Sequence, residues 1–265
     1  MIKKITVKPF IKWVGGKRSI LNILIERLPK SYTSYNECFV GGGALFFELQ
    51  PEHAVLSDIN SRLIITYIAI RDSLDQVIDL LKKHKEKHSK SYYLQARDYF
   101  SHEQDPTVIA SLFIYLNKTC FNGLYRVNKS DKFNVPMGDY KNPAILDENN
   151  LRNVSKVLQN VEITQCPFYQ SEIKNGAFYY LDPPYHNTYS SYDSNKFGDI
   201  EHKNLADFCK QLNKAGCYFM LSNSDTDLIR ELYKDFVIEG VIANRFVSCT
   251  VAQRGKAGEL LIRNY

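Results

Sequence analysis

The chain has 265 residues, of which 44% are hydrophobic and 24% charged, and its formal net charge is +5. These values are typical of an ordinary soluble protein with one large domain or two small ones. No apolar run of signal or membrane-spanning length occurs, and the six cysteines include no Cys-x-x-Cys pair. We therefore expect a cytoplasmic protein with reduced cysteines, without a disulfide framework or a metal.

The positive charge is concentrated in one part of the chain. Residues 82–141 contain eleven Lys or Arg and six Asp or Glu, whereas the remaining residues carry 23 of each sign. A basic segment in an otherwise neutral chain is typical of a protein that contacts phosphates. The lysines at residues 82–87 fit a solvated helix face, so the basic and aromatic stretch near Arg126 is the better candidate for contact.

The first distinctive motif precedes a segment of helical apolar spacing at residues 19–28, and it reads Lys12-Trp13-Val14-Gly15-Gly16-Lys17-Arg18. Free amides at a helix start, with Lys17 beside them, predict a site for a carboxylate or phosphate. Trp13 is the only tryptophan, and a core anchor is its open alternative.

A strand, turn, helix and strand follow in order. Residues 35–39 and Ala54–Asp58 are the predicted strands, with the turn Val40-Gly41-Gly42-Gly43 and a helix at Ala44–Leu49 between them. Glycines let a ligand approach the backbone, and the acid Asp58, 17 residues beyond Gly41, can bind ribose hydroxyls. The unit predicts nucleoside binding, and its Gly-Gly-Gly turn argues against a dinucleotide.

Helices in succession then interrupt the alternation, with helical spacing at residues 63–81 and 107–116. Residues 119–138 predict a hairpin with a polar tip and mix aromatic, amide and basic side chains. Such a mixture suits nucleic acid, because Arg pairs with a guanine edge and an aromatic ring can wedge into a base stack. A protein-binding hairpin is the open alternative.

Alternation resumes after Pro143. Strands are predicted at residues 161–164, 178–181, 218–222, 236–242 and 260–263, and helices at residues 201–215 (ended by Gly216) and 225–234. The pattern predicts an α/β fold. A Rossmann-like sheet domain takes residues 1–61 and 145–265, and an inserted domain of helices and a β-hairpin takes residues 62–144.

The apolar strand at residues 178–181 stops at Asp182-Pro183-Pro184-Tyr185. Two prolines cannot continue a central ladder, so the backbone leaves the sheet there in a stiff extended form. A carboxylate, a fixed carbonyl and an aromatic face are thereby held at the carboxyl edge of a strand, where open α/β sheets bind ligands. A rigid turn with a solvated acid would fit this motif taken alone.

In this order the motifs resemble the Dam-type DNA adenine-N6 methyltransferases, in the class that runs cofactor motif, recognition domain, catalytic motif. The stretches that carry the resemblance are Lys12-Trp13-Val14-Gly15-Gly16-Lys17, Phe39-Val40-Gly41-Gly42-Gly43, Phe121-Asn122-Gly123-Leu124-Tyr125-Arg126 with Phe133-Asn134-Val135-Pro136, and Asp182-Pro183-Pro184-Tyr185. Arg254-Gly255-Lys256, before Glu259-Leu260-Leu261, is similar to the family's C-terminal hairpin. The resemblance implies an S-adenosylmethionine-dependent methyltransferase sheet with an inserted DNA-recognition domain.

The resemblance also implies cofactor contacts. S-adenosylmethionine would lie with its carboxylate near Trp13 and Lys17, its backbone side against Phe39, Gly41 and Gly43, its ribose on Asp58 and its adenine beside Phe168, with Asp182 close to it. Many relatives carry an acid where this chain has Gln170, which leaves that one contact in question.

On the DNA side, the resemblance implies base reading by Lys12, Leu124, Arg126 and Pro136, DNA contact by Asn134, and insertion into the duplex by Phe121 and Asn122. An adenine amino group is unreachable inside a duplex, so the base must be flipped out. Asp182 and the Pro183 carbonyl would then accept the amino hydrogens while Tyr185 stacks on the ring, for direct transfer with no covalent intermediate.

The implied activity is N6 methylation of adenine in double-stranded DNA, with GATC as the favoured site and no obligate protein partner or membrane. Methylation of RNA adenine or of a protein glutamine amide is a second reading, because the same motif serves planar amino groups generally. A sequence-specific DNA-binding regulator that has lost catalysis is a third. The Arg126 segment favours duplex DNA over the second reading, and intact Asp182, Pro183, Tyr185 and Asp58 argue against the third.

Overall fold

The computed structural model describes residues 4–187, 197–244 and 256–265. Within these ranges seven strands form one sheet: β1 (Tyr35–Glu37), β2 (Ala54–Asp58), β3 (Glu162–Gln165), β4 (Phe178–Leu181), β5 (Tyr218–Ser224), β6 (Val237–Asn244) and β7 (Lys256–Arg263). The helices of the same ranges are α1 (Leu21–Glu26), α2 (Ala44–Leu49), α3 (Ser61–Asp72), α4 (Leu74–Lys87), α5 (Lys90–Phe100), α6 (Pro106–Thr119), α7 (Glu148–Leu158), α8 (Asp199–Lys214) and α9 (Asp227–Leu232).

The sheet has the strand order β3-β2-β1-β4-β5-β7-β6. The strands from β3 to β5 are parallel, and β7 lies antiparallel between β5 and β6. Because the chain runs outward from β1 in one direction and from β4 in the other, the topological switch point lies between β1 and β4. Open α/β sheets bind their ligands at the carboxyl edge of such a point.

The register brings the sequence motifs to that edge. Glu37, at the end of β1, is level with Leu56 of β2 on one side and Tyr180 of β4 on the other. The glycine turn after β1 and the Asp182 segment after β4 therefore leave the sheet side by side.

The core explains why β4 can be apolar throughout. All four of its residues are buried, with Phe178 and Tyr180 in the hydrophobic cluster on one face of the sheet and Tyr179 and Leu181 in the cluster on the other. A strand covered on both faces has no solvated side on which polar residues would be favoured. This central position makes the end of β4 a rigid support for the Asp182 segment.

The α/β class and the Rossmann-like sheet are confirmed, and the bounds of the predicted strands lie within four residues of the observed ones, with the largest difference at the start of β7. The predicted single helix at residues 63–81 is wrong. Ser73, with φ −139° and ψ 35°, separates α3 from α4, and both helices pack against α6. Helices α5 and α7 were not predicted from the sequence.

Helix α6 is the centre of the helical region. Asp105 caps it by accepting hydrogen bonds from the amides of Thr107 and Val108, and Pro106 occupies its first turn. Its side chains from Ile109 to Asn117 are buried. The hydrophobic cluster runs without a break from these helices to the sheet, since α3 packs on both β2 and α6. The division at residues 62 and 144 stays a prediction.

None of the helices in the described ranges has the length and apolar content that crossing a bilayer requires.

Candidate active site and nucleic-acid interface

The turn after β1 is held by the end of β2. Gly41 has φ +46°, and its amide donates to Asp58 Oδ2 at 3.1 Å. A Cβ at Gly41 would lie 2.5 Å from Trp13 Cδ1, so only glycine fits beneath the indole. Gly43 begins α2 and is buried. The predicted cofactor residues Trp13, Gly41, Gly43 and Asp58 thus meet at one place.

Asp58 already serves this turn. Its Oδ1 accepts a hydrogen bond from the amide of Asn60 at 3.0 Å. Asn60 is the residue that caps the start of α3. Burial raises the pKa of Asp58, and the amides of Asn60 and Gly41 oppose that rise. The carboxylate therefore sits in a partly desolvated place where its hydrogen bonds are strengthened.

Aromatic rings line the neighbouring wall. Phe39 stacks on Phe168 with ring centroids 5.6 Å apart, and Phe197 meets Phe39 edge-on at 5.9 Å. A flat apolar wall of this kind suits a purine ring. Gln170, two residues beyond Phe168, is exposed.

Lys17 and Asp182 form an ion pair at the end of β4. Lys17 Nζ lies 2.8 Å from Asp182 Oδ1, and their side chains are 5% and 19% exposed. Burial raises the pKa of Asp182, whereas the Lys17 ammonium lowers it. The sequence predicted Lys17 beside the amides of a helix start. Instead, a short 3-10 helix at Lys17–Ser19 precedes α1, and the ammonium turns toward Asp182.

Tyr185 completes this cluster. Lys17 Nζ lies 4.8 Å from the centroid of the Tyr185 ring, and the Tyr185 hydroxyl donates to Glu259 Oε2 at 3.0 Å. Sequence reasoning missed Glu259 as a site residue. An acid inside the apolar strand residues Glu259-Leu260-Leu261-Ile262 was the signal that could have found it.

A second buried acid lies beneath the site and was also missed. Burial raises the pKa of Glu37 to about 8, although the hydrogen bond from the Tyr35 hydroxyl opposes the rise. That hydrogen bond has a length of 2.6 Å. Burial therefore favours the protonated form of Glu37 next to the ion pair of Lys17 and Asp182.

His186 anchors the backbone directly after Tyr185. Its amide donates to Asn223 Oδ1 at 3.0 Å, and its carbonyl accepts from Ser224 Oγ at 2.6 Å. Its ring nitrogens contact Thr226 Oγ1 at 2.8 Å and Asp199 Oδ1 at 3.2 Å. The residue after Tyr185 is thus tied to β5 and to the starts of α8 and α9.

The predicted hairpin at residues 119–138 has two arms that pair antiparallel, through bridges between Cys120 and Met137 and between Val127 and Phe133, without continuous strands. The Phe121 amide donates to the Pro136 carbonyl at 2.9 Å. Phe121 is 44% exposed, and Asn122 has φ +55°. The two side chains predicted to enter the duplex therefore lie on an irregular, outward-facing turn.

Lys12 lies against this turn. Asn117 accepts the Lys12 amide at 2.8 Å and donates to the carbonyls of Lys12 at 2.8 Å and Gly123 at 3.0 Å. A Cβ at Gly123, whose φ is +65°, would lie 2.5 Å from Lys12 Cδ. The buried side-chain amide of Asn117 thus joins Lys12 to the turn at Gly123, two segments that are far apart in sequence and were both predicted to contact DNA.

Arg126 is held by another predicted residue. Its Nε donates to Asn134 Oδ1 at 2.6 Å and its Nη2 to the Asn134 carbonyl at 3.1 Å. Leu124 is half-buried and Pro136 is exposed on the same hairpin. The seven residues predicted to contact DNA therefore lie on, or directly against, residues 119–138.

Trp13 connects the two halves of the site. Its indole stacks on Tyr125 at 5.9 Å and on Phe113 at 6.4 Å, while its edge covers Gly41. Trp13 thus packs against the hairpin and also borders the glycine turn, and its role in cofactor binding stays a prediction.

A cavity of about 480 Å³ opens beside it, and its basic lining residues are Lys8, Lys12, Arg18 and Lys118. Burial lowers the pKa of Lys118, and Lys12 and Arg18 act in the same direction, whereas the charge of Asp147, which also lines the cavity, opposes the shift.

One family model matches most of the chain, including the hairpin and the strands from β1 to β6. The model described as D12 class N6 adenine-specific DNA methyltransferase matches residues 13–246. Curated relatives align over nearly the whole chain. A type II methyltransferase of Lactococcus lactis subsp. cremoris, M1.LlaDCHI, is 40% identical over 99% of this chain and 97% of its own length.

Two further relatives come from an archaeon and a bacterium. The type II methyltransferase M.MjaIII of Methanocaldococcus jannaschii is 41% identical, over 98% of this chain and 99% of its own length. The DNA adenine methylase of Escherichia coli is 32% identical, over 96% of this chain and 94% of its own length.

Proposed function

Because the chain belongs to the D12 class of N6 adenine-specific DNA methyltransferases, we propose that it flips one adenine out of a specific duplex site, GATC, and methylates it at the end of β4. The observation that carries this proposal is the convergence of Lys17, Asp182 and Tyr185 beside the glycine turn at the switch point of the sheet.

The residues fit S-adenosylmethionine, the methyl donor of this family. A glycine turn allows close approach, Asp58 can accept from ribose hydroxyls, and the rings of Phe39 and Phe168 form a flat wall. The carboxylate of Asp182 suits a nearby sulfonium charge. When bound, the cofactor supplies an electrophilic methyl group, and the chain itself supplies the positioning.

Asp182 and Pro183 act on the amino group. The adenine lone pair is delocalised into the ring, so the nitrogen becomes nucleophilic only when its hydrogens are held by acceptors that favour a localised pair. The Asp182 carboxylate accepts one hydrogen and the Pro183 carbonyl the other, in a fixed geometry because the following Pro184 stiffens the backbone. Lys17 helps to keep Asp182 ionised against the effect of burial.

Tyr185 receives the base by stacking. Its ring lies next to Lys17 and Asp182, so a purine placed on it would bring its amino group to the acceptors. A base outside the duplex has lost its stacking partners, and an aromatic ring replaces part of that energy. Transfer is then a direct displacement that depends on positioning.

In this proposal, the hairpin at residues 119–138 recognises the DNA sequence. Arg126, oriented by Asn134, faces a guanine edge, and Lys12 acts beside it from the N-terminal arm. Phe121 and Asn122 enter the space left by the flipped base. The resemblance of residues 121–136 to the Dam-type motif supports GATC, and it supports action on DNA in the cytoplasm of a bacterial or phage-infected cell.

The test is sequencing that detects N6-methyladenine in DNA of a methylation-deficient host that expresses the protein, with Asp182→Asn as the matched control. We expect methylated adenine in GATC only with the unsubstituted protein. Methylation in another sequence would overturn the site and leave the reaction. Labelled methyl groups appearing in RNA or in protein glutamine, and not in DNA, would overturn the reaction itself.

A further inference from the structure

Glu259 is a buried acid with no role in the methyl transfer proposed for Asp182, Pro183 and Tyr185. It lies on β7, level with Ser224 of β5 and Val241 of β6, and its side chain is 8% exposed. The next three residues along β7 are all apolar. A carboxylate in such a place needs a strong hydrogen-bond partner, since burying a charge is costly.

The Tyr185 hydroxyl is such a partner. It donates to Glu259 Oε2 at 3.0 Å. Burial, followed by the charges of Asp182 and Glu259, raises the pKa of Tyr185 well above its usual value, so the phenol keeps its proton and remains a donor. A hydrogen bond to a charged acceptor is stronger than one between neutral groups.

The backbone beside Tyr185 is fixed separately. His186 is hydrogen-bonded through its amide to Asn223 and through its carbonyl to Ser224. These bonds fix the backbone next to Tyr185. They do not determine the side-chain torsion angles of Tyr185, which depend on other contacts. Glu259 holds the far end of the ring, from a strand that enters the sheet beside β5.

We propose that Glu259 is a positioning residue for methyl transfer, which sets the plane of the Tyr185 ring on which the flipped adenine stacks. The inference rests on the proposed function. A ring held before the base arrives loses less freedom on binding and presents the amino group at the distance and angle that transfer requires. Glu259 acts in this proposal through its hydrogen bond with the Tyr185 hydroxyl.

The experiment is a double-mutant cycle with Glu259→Leu, Tyr185→Phe and the pair, on duplexes that contain the methylation site. Wild-type methyl transfer to adenine is established first, so that failure of the proposed function is recognised separately. We expect Glu259→Leu and Tyr185→Phe each to lower kcat about ten-fold or more with little change in the KM for the cofactor. The double variant should be no slower than either single variant.

Two further variants keep the test decisive. In Glu259→Gln the amide oxygen still accepts a hydrogen bond, so we expect partial recovery of kcat compared with Glu259→Leu. Glu239→Gln removes an acid from the neighbouring strand β6 that pairs with Arg27 and Arg263. We expect this control to lower thermal stability and to leave kcat unchanged.

Stacking can be observed directly with 2-aminopurine in place of the target adenine. We expect brighter emission from the flipped base in Glu259→Leu than in the wild type, because a loosely held ring quenches less. Equal emission, or additive losses in the cycle, would overturn the proposal. So would a loss of activity that disappears when kcat is expressed per correctly folded active site, since Glu259 would then be only structural.

Discussion

The catalytic edge of the sheet and the hairpin at residues 119–138 both present polar groups to the same proposed substrate, but they are built in opposite ways. At the sheet edge the charged side chains are largely shielded from water, since Lys17 is 5% exposed and pairs with Asp182. On the hairpin, Phe121 is 44% exposed, and Lys12 beside it is exposed. The side chains at the sheet edge are therefore surrounded by protein, whereas Phe121 and Lys12 on the hairpin side are open to solvent.

The difference has an energetic meaning. Electrostatic interactions are much stronger in a water-excluded place than at a surface, so single changes at the sheet edge should affect the rate strongly and for all sequences alike. Exposed groups contribute less each, and what they contribute depends on the base they meet.

The largest effect is expected at Asp182. Asp182→Ala should lower the single-turnover rate about 100-fold or more, because it removes a preorganised acceptor, while duplex binding is retained. The measurement is transfer from labelled cofactor, with Asp207→Asn, an exposed acid on α8, as the control. A loss of about ten-fold or less would show that the Asp182 carboxylate is not the main acceptor. Asp182→Asn keeps the side-chain volume should the alanine variant be unstable beside Lys17.

Asp58 is expected to come second. Asp58→Ala should weaken cofactor binding by about 1.5 to 3 kcal/mol, or ten-fold or more, and leave the choice of sequence unchanged. Isothermal calorimetry gives the affinity, and Asp72→Asn on the outside of α3 is the control. Unaltered affinity would remove Asp58 from the cofactor site and leave it as the acceptor of the Gly41 amide.

Replacement of Arg126 on the hairpin should have an effect that depends on the DNA sequence, unlike the replacements at the sheet edge. Arg126→Ala should cost about 1 to 3 kcal/mol on the correct site and much less on a duplex altered at the base pair that it reads. Asn134→Ala should shift discrimination in the same direction by a smaller amount, because Asn134 only orients the guanidinium.

The control for Arg126 is replacement of Lys129 or Lys132 at the exposed tip. If either contacts phosphate, its loss should weaken all sequences equally and flatten the salt dependence of binding. A set of single-base-substituted duplexes at fixed salt separates these patterns. Uniform loss for Arg126→Ala would make it a backbone contact and would erase the contrast between the two regions.

The last prediction concerns the free energy of unfolding, whose pH dependence has a slope of at most about 1.4 kcal/mol per pH unit for each group, with opposite signs for Glu37 at the end of β1 and His84 in the helical region. Burial raises the pKa of Glu37 to about 8, so the unfolded chain releases this proton first and stability falls as pH rises from about 4.5 to 8. Burial lowers the pKa of His84 to about 4, so the unfolded chain gains a proton first and stability falls as pH drops from about 6.5 to 4.

Denaturant unfolding as a function of pH measures both slopes. Glu37→Gln should flatten the alkaline side of the profile, and His84→Asn should flatten the acid side. His84 contacts the hydroxyls of Tyr92 and Ser111 in the helical region, so its loss also has a pH-independent cost. A profile that neither variant alters would mean that these groups titrate alike in the folded and unfolded chains.

Much of the sheet and its motifs could be predicted from sequence because the signals are local. The run Phe178–Leu181 stops at two prolines, and the glycine turn lies between two short strands, so both motifs could be placed at the carboxyl edge without any knowledge of packing. The helix break at Ser73 could not, because apolar spacing continues through it and the change of direction serves contacts with α6.

The contacts in the candidate site that could not be predicted from the sequence all join residues that are far apart along the chain. Lys17 meets Asp182, and Tyr185 meets Glu259, only because the sheet places β4 next to β1 and inserts β7 beside β5. A motif predicts which residues matter, whereas the partner of each depends on strand order. The predicted match at Arg254 and Gly255 lies outside the described residues.

The position of Trp13 has a practical consequence for watching the protein work. It is the only tryptophan of the chain, and its indole lies between Gly41 and Tyr125, at the junction of the cofactor turn and the hairpin. We therefore expect its fluorescence to change when cofactor binds and when duplex binds. Stopped-flow emission could time the arrival of cofactor and of duplex in an unlabelled protein, and so reveal their order.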